Sequence, residues 1–145
     1  MRMNYHIAAR MDRMAPSGIR KVNEKALAME RAGERVLHFE IGRPDFDPPE
    51  YIKKAANQAL AQGKVHYTSN FGMMELRQAI ADKLKRENHI DYKASEVLVT
   101  VGLSEAVFAV LATLLDEGDE ILVPDPVWLN YINVPNLLGA RAVTY

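Results

Sequence analysis

The chain has 145 residues, 48% hydrophobic and 26% charged, with a net charge of −1. That is enough for one ordinary globular core, and the near-neutral balance offers no basic surface for nucleic acid or an anionic membrane. Cysteine is absent, which excludes disulfides, thiolate metal sites and a cysteine nucleophile and suits a reducing, cytoplasmic setting.

The segment Met1–Pro16 carries Arg2, Arg10 and Arg13 but also Asp12, and it lacks the apolar stretch of a secretory signal. It reads as an N-terminal arm whose methionines (Met1, Met3, Met11, Met14) either pack on a neighbour or stay disordered. No run is long and apolar enough to span a bilayer.

Ser17 is placed to cap a helix with Ile19, Val22, Ala26 and Met29 on one stripe, and Gly33 is placed to end it. From Val36 to Ile41 the pattern alternates, predicting a half-buried strand with Leu37, Phe39 and Ile41 inward and His38 and Glu40 outward. The turn-rich stretch Gly42–Pro49 follows, and Pro49 suits the start of a helix reaching Gln62. A polar loop from Gly63 to Gly72 precedes a third helix carrying Leu76, Ile80 and Leu84. Beyond it come an apolar strand at Val97–Val101, a helix at Ser104–Leu115, a strand at Glu120–Val123, a helix at Trp128–Leu138 interrupted by Pro135, and a strand from Ala140 to Tyr145. Apolar strands separated by helices predict an α/β fold with a parallel sheet covered on both faces.

Three features are suited to chemistry. The strand–Gly102–helix junction aims the first helical amides, with those of Leu103 and Ser104 and the Ser104 hydroxyl, at one spot that attracts phosphate. Gly102 and Ser104 equally suit a plain turn and a plain helix cap, and the junction matches neither a Walker A loop nor a dinucleotide fingerprint. Trp128, the only tryptophan, follows the C-terminal end of a predicted strand, where it either stacks on a planar heterocycle or fills the core. Tyr67, in a polar loop, carries a hydroxyl that is either a phosphate donor or an ordinary loop group. Asp45 and Asp47 read as turn formers, and the four histidines (His6, His38, His66, His89) are too scattered for zinc.

Order and spacing join these signals. Ile41-Gly42-Arg43-Pro44-Asp45-Phe46-Asp47, then His66-Tyr67 with Gly72 and Glu75-Leu76-Arg77, then Val99-Thr100-Val101-Gly102, then Pro126-Val127-Trp128 with Tyr131, resemble class I/II aminotransferases of the aspartate aminotransferase superfamily, over about Ser17 to Tyr145. The resemblance implies the fold-type I pyridoxal 5'-phosphate (PLP) transferase fold, a parallel sheet sandwiched by helices and cut before its central strands. It implies an arm over 1–16, the start of a small domain and an inter-domain loop over 17–48, and an incomplete PLP-binding domain over 49–145. It further implies that Gly102, Leu103 and Ser104 hold the cofactor phosphate, that Trp128 stacks on the pyridine ring, and that Tyr67 reaches the phosphate of a partner subunit's cofactor in a homodimer with shared active sites. Gly42 then lies by the substrate carboxylate and Ile19 near the substrate entrance. Where many relatives carry Glu, this chain has Arg43, which either alters the preference between acidic and neutral substrates or points to solvent.

The family's Schiff-base lysine, commonly in a Ser-x-x-Lys setting, has no counterpart: Ser17, Ser69, Ser95 and Ser104 have no lysine three residues on. The pyridine-pairing aspartate and the carboxylate-clamping arginine are likewise implied downstream of Tyr145. The expectation is therefore the N-terminal portion of an enzyme that moves an amino group between an amino acid and a 2-oxo acid, ending inside a strand, marginally stable and inactive alone. A carbon–sulfur lyase of the same fold and a non-catalytic phosphate-binding module are the alternatives.

Overall fold

The computed structural model describes residues 6–145; Met1, Arg2 and Met3 of the expected arm lie outside the described residues. The chain forms two compact units: the segments up to Arg43 and from Gly102 to Tyr145 make one, and Pro44–Val101 the other.

In the first unit, α1 spans Gly18–Arg31, and the Ser17 hydroxyl accepts the Arg20 N–H at 3.3 Å. At its far end Gly33 takes φ 88°, so the chain turns back and the Glu34 N–H reaches the Met29 carbonyl at 3.1 Å. The stretch after α1 corrects the expected strand. Residues 36–41 form no ladder among the described residues, and Leu37 and Phe39 point outward with 71% and 91% of their surface exposed. The alternation is kept but its sense is reversed. Glu40 is the residue that turns toward α1, where Asn23 Nδ2 donates to its Oε1 at 2.9 Å.

Further on, α4 spans Gly102–Leu114, β1 Glu120–Val123, α5 Asn130–Leu138 and β2 Arg141–Thr144. The strands are parallel, with Glu120 opposite Arg141 and Val123 opposite Thr144, and the Arg141 guanidinium pairs with the Glu120 carboxylate across them. The connecting helix α5 packs on both strands and on α4, as a parallel crossover requires. Val107 and Leu111 of α4, Val123 of β1, and Pro135 and Ala140 around α5 are buried and make the core. α5 runs through Pro135 rather than breaking there: Pro135 is fully buried, and the last turn closes with Gly139 at φ 88°.

The arm is folded onto this unit. Its short 3₁₀ helix, Ala9–Arg13, packs on α5, and the buried Asn133 carboxamide bonds both backbone groups of Ala15. These described residues of the arm thus pack within the chain itself, while Met11 stays 46% exposed.

The second unit holds α2 (Glu50–Ala61), α3 (Met74–Asn88) and a 3₁₀ turn at Ala94–Glu96. Pro49 caps α2 from just outside the helix. Arg77 of α3 is buried: its Nε donates to the Val97 carbonyl at 2.9 Å, and its guanidinium lies 5.4 Å from the centre of the Phe71 ring. The Val97–Val101 run is the second correction. It joins no ladder among the described residues, and Val99 instead donates its N–H to the Phe71 carbonyl at 3.1 Å. A β-branched run favours an extended backbone, but a ladder needs a partner strand as well.

Candidate functional site

In an open parallel sheet, ligands bind outside the C-terminal ends of the strands. Here that end of β1 leads into Pro124–Trp128, with a cis peptide bond between Asp125 and Pro126, and then into α5. The Asp125 N–H meets the Tyr145 carbonyl at 3.2 Å, which ties this loop to the end of β2.

The start of α4 faces the start of α5. Asn130, the first residue of α5, donates from Nδ2 to the Ser104 hydroxyl oxygen at 3.3 Å. Gly102 opens α4 at φ 75°, a backbone conformation that favours glycine, and an added Cβ there would meet no atom within 4 Å. It is therefore the turn, and not crowding, that selects glycine. In the first turn of a helix the amides lack intrahelical acceptors and carry the positive end of the helix dipole. Leu103 and Ser104 belong to that turn of α4 and are exposed.

Trp128 keeps 40% of its surface exposed. Its ring is braced edge-on by Tyr131, with centroids 6.0 Å apart and planes at 78°. The indole is thus held by Tyr131 while part of the ring stays open. The packing of α4 on α5 and the Asn130–Ser104 bond set the start of α4, with Gly102, Leu103 and Ser104, against the start of α5, which follows Trp128 by two residues.

Gly42 and Ile19 belong to the same unit: Gly42 is exposed and follows a bend at residues 40–41, and Ile19, 52% exposed, lies in the first turn of α1. Arg43 is exposed, and its N–H closes a tight turn onto the Ile41 carbonyl at 2.8 Å. Tyr67 belongs to the second unit and its side chain is wholly exposed.

Sequence reasoning missed two groups. Asn130 carries no role in the sequence reading; the signal for it is an amide two residues after the aromatic, at a helix start. The other group is the cluster before Gly42. His38 Nε2 lies 3.0 Å from Glu30 Oε1 and Nδ1 2.7 Å from Glu40 Oε1. Hydrogen bonds to Glu40 and then Glu30 raise the His38 pKa above its ordinary value. The bond from Asn23, then that from His38, hold Glu40 down to about 2.

Among the described residues no group of three or more acidic or histidine side chains is arranged to hold a metal, and Asp47 is engaged by Lys53 at 3.4 Å. A hollow of about 360 Å³ lined by Arg13, Glu117, Asn136, Gly139 and Ala140 lies at the C-terminal end of α5, away from Ser104 and Trp128. Among the described residues no helix is long and apolar enough to cross a membrane.

Comparison with known proteins shows the family. The model of the family "Aminotransferase class I and II" matches residues 34–145, so the chain belongs to the class I and II aminotransferases. Among curated relatives, the aspartate/prephenate aminotransferase of Thermus thermophilus is 41% identical over 94% of this chain and 36% of its own length. The probable aspartate/prephenate aminotransferase of Aquifex aeolicus is 41% identical over 89% of this chain and 33% of its own. The structure of aspartate aminotransferase from Thermus thermophilus with maleate superposes at TM-score 0.92 and 40% identity, covering 97% of this chain and 37% of that one. Alanine aminotransferase from Pyrococcus furiosus gives TM-score 0.89 at 36% identity, covering 97% and 36%. The chain thus spans about a third of the length of the relatives it matches.

Proposed function

We propose that this chain supplies the cofactor-holding portion of a PLP-dependent aminotransferase that moves an amino group between an amino acid and a 2-oxo acid. The observation that carries the reading is the meeting of the α4 start with Asn130 and the half-open Trp128 beside the C-terminal end of β1. A phosphate ester fits the first amides of a helix and a serine hydroxyl, and a flat pyridine ring fits a braced indole face.

In this reading the Leu103 and Ser104 amides and the Ser104 hydroxyl hold the phosphate, Gly102 lets the backbone turn toward it, and Trp128 fixes the tilt of the ring. Bound PLP supplies an electron sink for the carbon that carries the amino group. Gly42 lines the approach of the substrate carboxylate, and Ile19 the entrance. The fully exposed Tyr67 is free to reach a second subunit's phosphate, which supports a homodimer with shared sites. The relatives act, by their names, on aspartate, prephenate or alanine, which supports an amino acid and a 2-oxo acid as the substrate pair.

None of the chain's serines has a lysine three residues on, so the 145 residues by themselves are proposed to be inactive. The test is keto-acid formation from amino acid donors by the full-length protein. A keto acid formed with stoichiometric amination of an added 2-oxo acid supports transfer; keto acid accompanied by free ammonia overturns it in favour of elimination chemistry.

A further inference from the structure

The N-cap of α5 is Leu129, which has no side-chain capping bond. The amide one residue on, Asn130, does not serve its own helix: its Nδ2 crosses to α4 and donates to Ser104 Oγ at 3.3 Å. A hydroxyl has a single proton and two lone pairs. With one lone pair taken by an N–H donor, the serine proton is left for an acceptor outside the pair, and the hydroxyl is held from rotating freely. A carboxylate at the same place would do the reverse: it would accept the serine proton and set a negative charge beside any bound anion.

We infer that Asn130 is a positioning residue that polarises and orients the Ser104 hydroxyl as a donor to the cofactor's phosphate. This rests on the PLP reading above. Asn130 acts through Ser104, so its effect exists only when both the serine hydroxyl and the ligand's phosphate are present. It also links the two sides of the site, because Asn130 stands two residues after Trp128 on the chain: this side-chain bond adds to the packing of α4 on α5 in joining the ring-stacking element to the phosphate-holding element.

The test is a binding cycle on the full-length protein, with PLP and with pyridoxal, which lacks the phosphate. Affinities come from equilibrium titration, and the ³¹P resonance of bound PLP reports the phosphate's surroundings independently of activity. Asn130→Ala is expected to weaken PLP by up to about tenfold, the ceiling being complete loss of the charge-assisted bond from the Ser104 hydroxyl to the phosphate, and to leave pyridoxal unchanged. Asn130→Asp is expected to weaken PLP further than Asn130→Ala, which loss of a contact alone does not explain. In a Ser104→Ala background, Asn130→Ala is expected to add nothing, and either single variant shifts the ³¹P resonance. Equal losses for PLP and pyridoxal, or losses that add in the double variant, overturn the role of Asn130 while leaving the PLP reading intact. A wild type with no preference for PLP over pyridoxal overturns the PLP reading and this inference together.

Discussion

Asn133 and Ala15 lie 118 residues apart in the chain, yet the Asn133 carboxamide bonds both backbone groups of Ala15. The Ala15 N–H donates to Oδ1 at 3.1 Å, and Nδ2 donates to the Ala15 carbonyl at 2.9 Å. An amide side chain mimics a neighbouring peptide group and fixes the arm on α5 as a strand pairing would. Asn133 is buried while Ala15 is exposed, so removing the carboxamide hands both Ala15 groups to water and loosens the arm.

Asn133→Ala is therefore expected to destabilise the protein by about 1 kcal/mol, the net worth of hydrogen bonds that water can replace. Asn133→Asp keeps the acceptor but loses the donor and buries a charge, so it should cost more. Denaturant unfolding gives the totals, and amide exchange at Ala15 shows whether the arm detaches first. Unchanged exchange at Ala15 in Asn133→Ala would contradict the clamp.

Gly72 takes φ 93°, and a Cβ placed on it would come within 2.7 Å of both Val99 Cβ and Cγ2. Gly72→Ala thus meets strain and overlap at once and is expected to cost about 3 kcal/mol. Val99→Ala should not restore stability, because the Val99 Cβ contact and the backbone strain both remain. A Gly72→Ala midpoint equal to wild type in thermal unfolding would contradict this.

The His38 cluster gives stability a dependence on pH. His38 is raised by Glu40 and Glu30, so its contribution is complete below the ordinary histidine value of about 6.5 and fades as pH rises through the folded value. Glu40 is lowered to about 2, so its contribution is complete above the ordinary carboxylate value of about 4.3 and fades as pH falls toward the folded one. Both act together between those two limits. Glu40→Gln should bring the His38 titration, followed by NMR, back toward its ordinary value and flatten the loss of stability above neutrality. A His38 titration unmoved by Glu40→Gln would show that the pair does not form.

The helices were legible because their ends are chemically marked. Ser17 caps α1, Gly33 turns out of it, and Pro49 precedes α2. The stretch from 36 to 41 was misread because alternation defines two faces and does not say which one is inward; Asn23 and His38 settle that by drawing Glu40 toward α1. The Val97–Val101 run was misread because a ladder is long-range pairing, which side-chain branching does not encode. Of the site, Gly102, Ser104 and Trp128 were visible as a strand–turn–helix start and a lone aromatic. Asn130 was not given a role, because an asparagine at a helix start ordinarily serves its own helix, and its bond to Ser104 spans 26 residues of sequence.

The central claim, that the start of α4 and Trp128 together hold PLP, is tested most directly by titrating the full-length protein with PLP while following Trp128 emission as the difference between wild type and Trp128→Phe. The account predicts saturable quenching of Trp128 that Ser104→Ala shifts to about tenfold higher PLP. Trp128 emission that does not respond to PLP, or a quench that Ser104→Ala leaves at the same concentration, would contradict it.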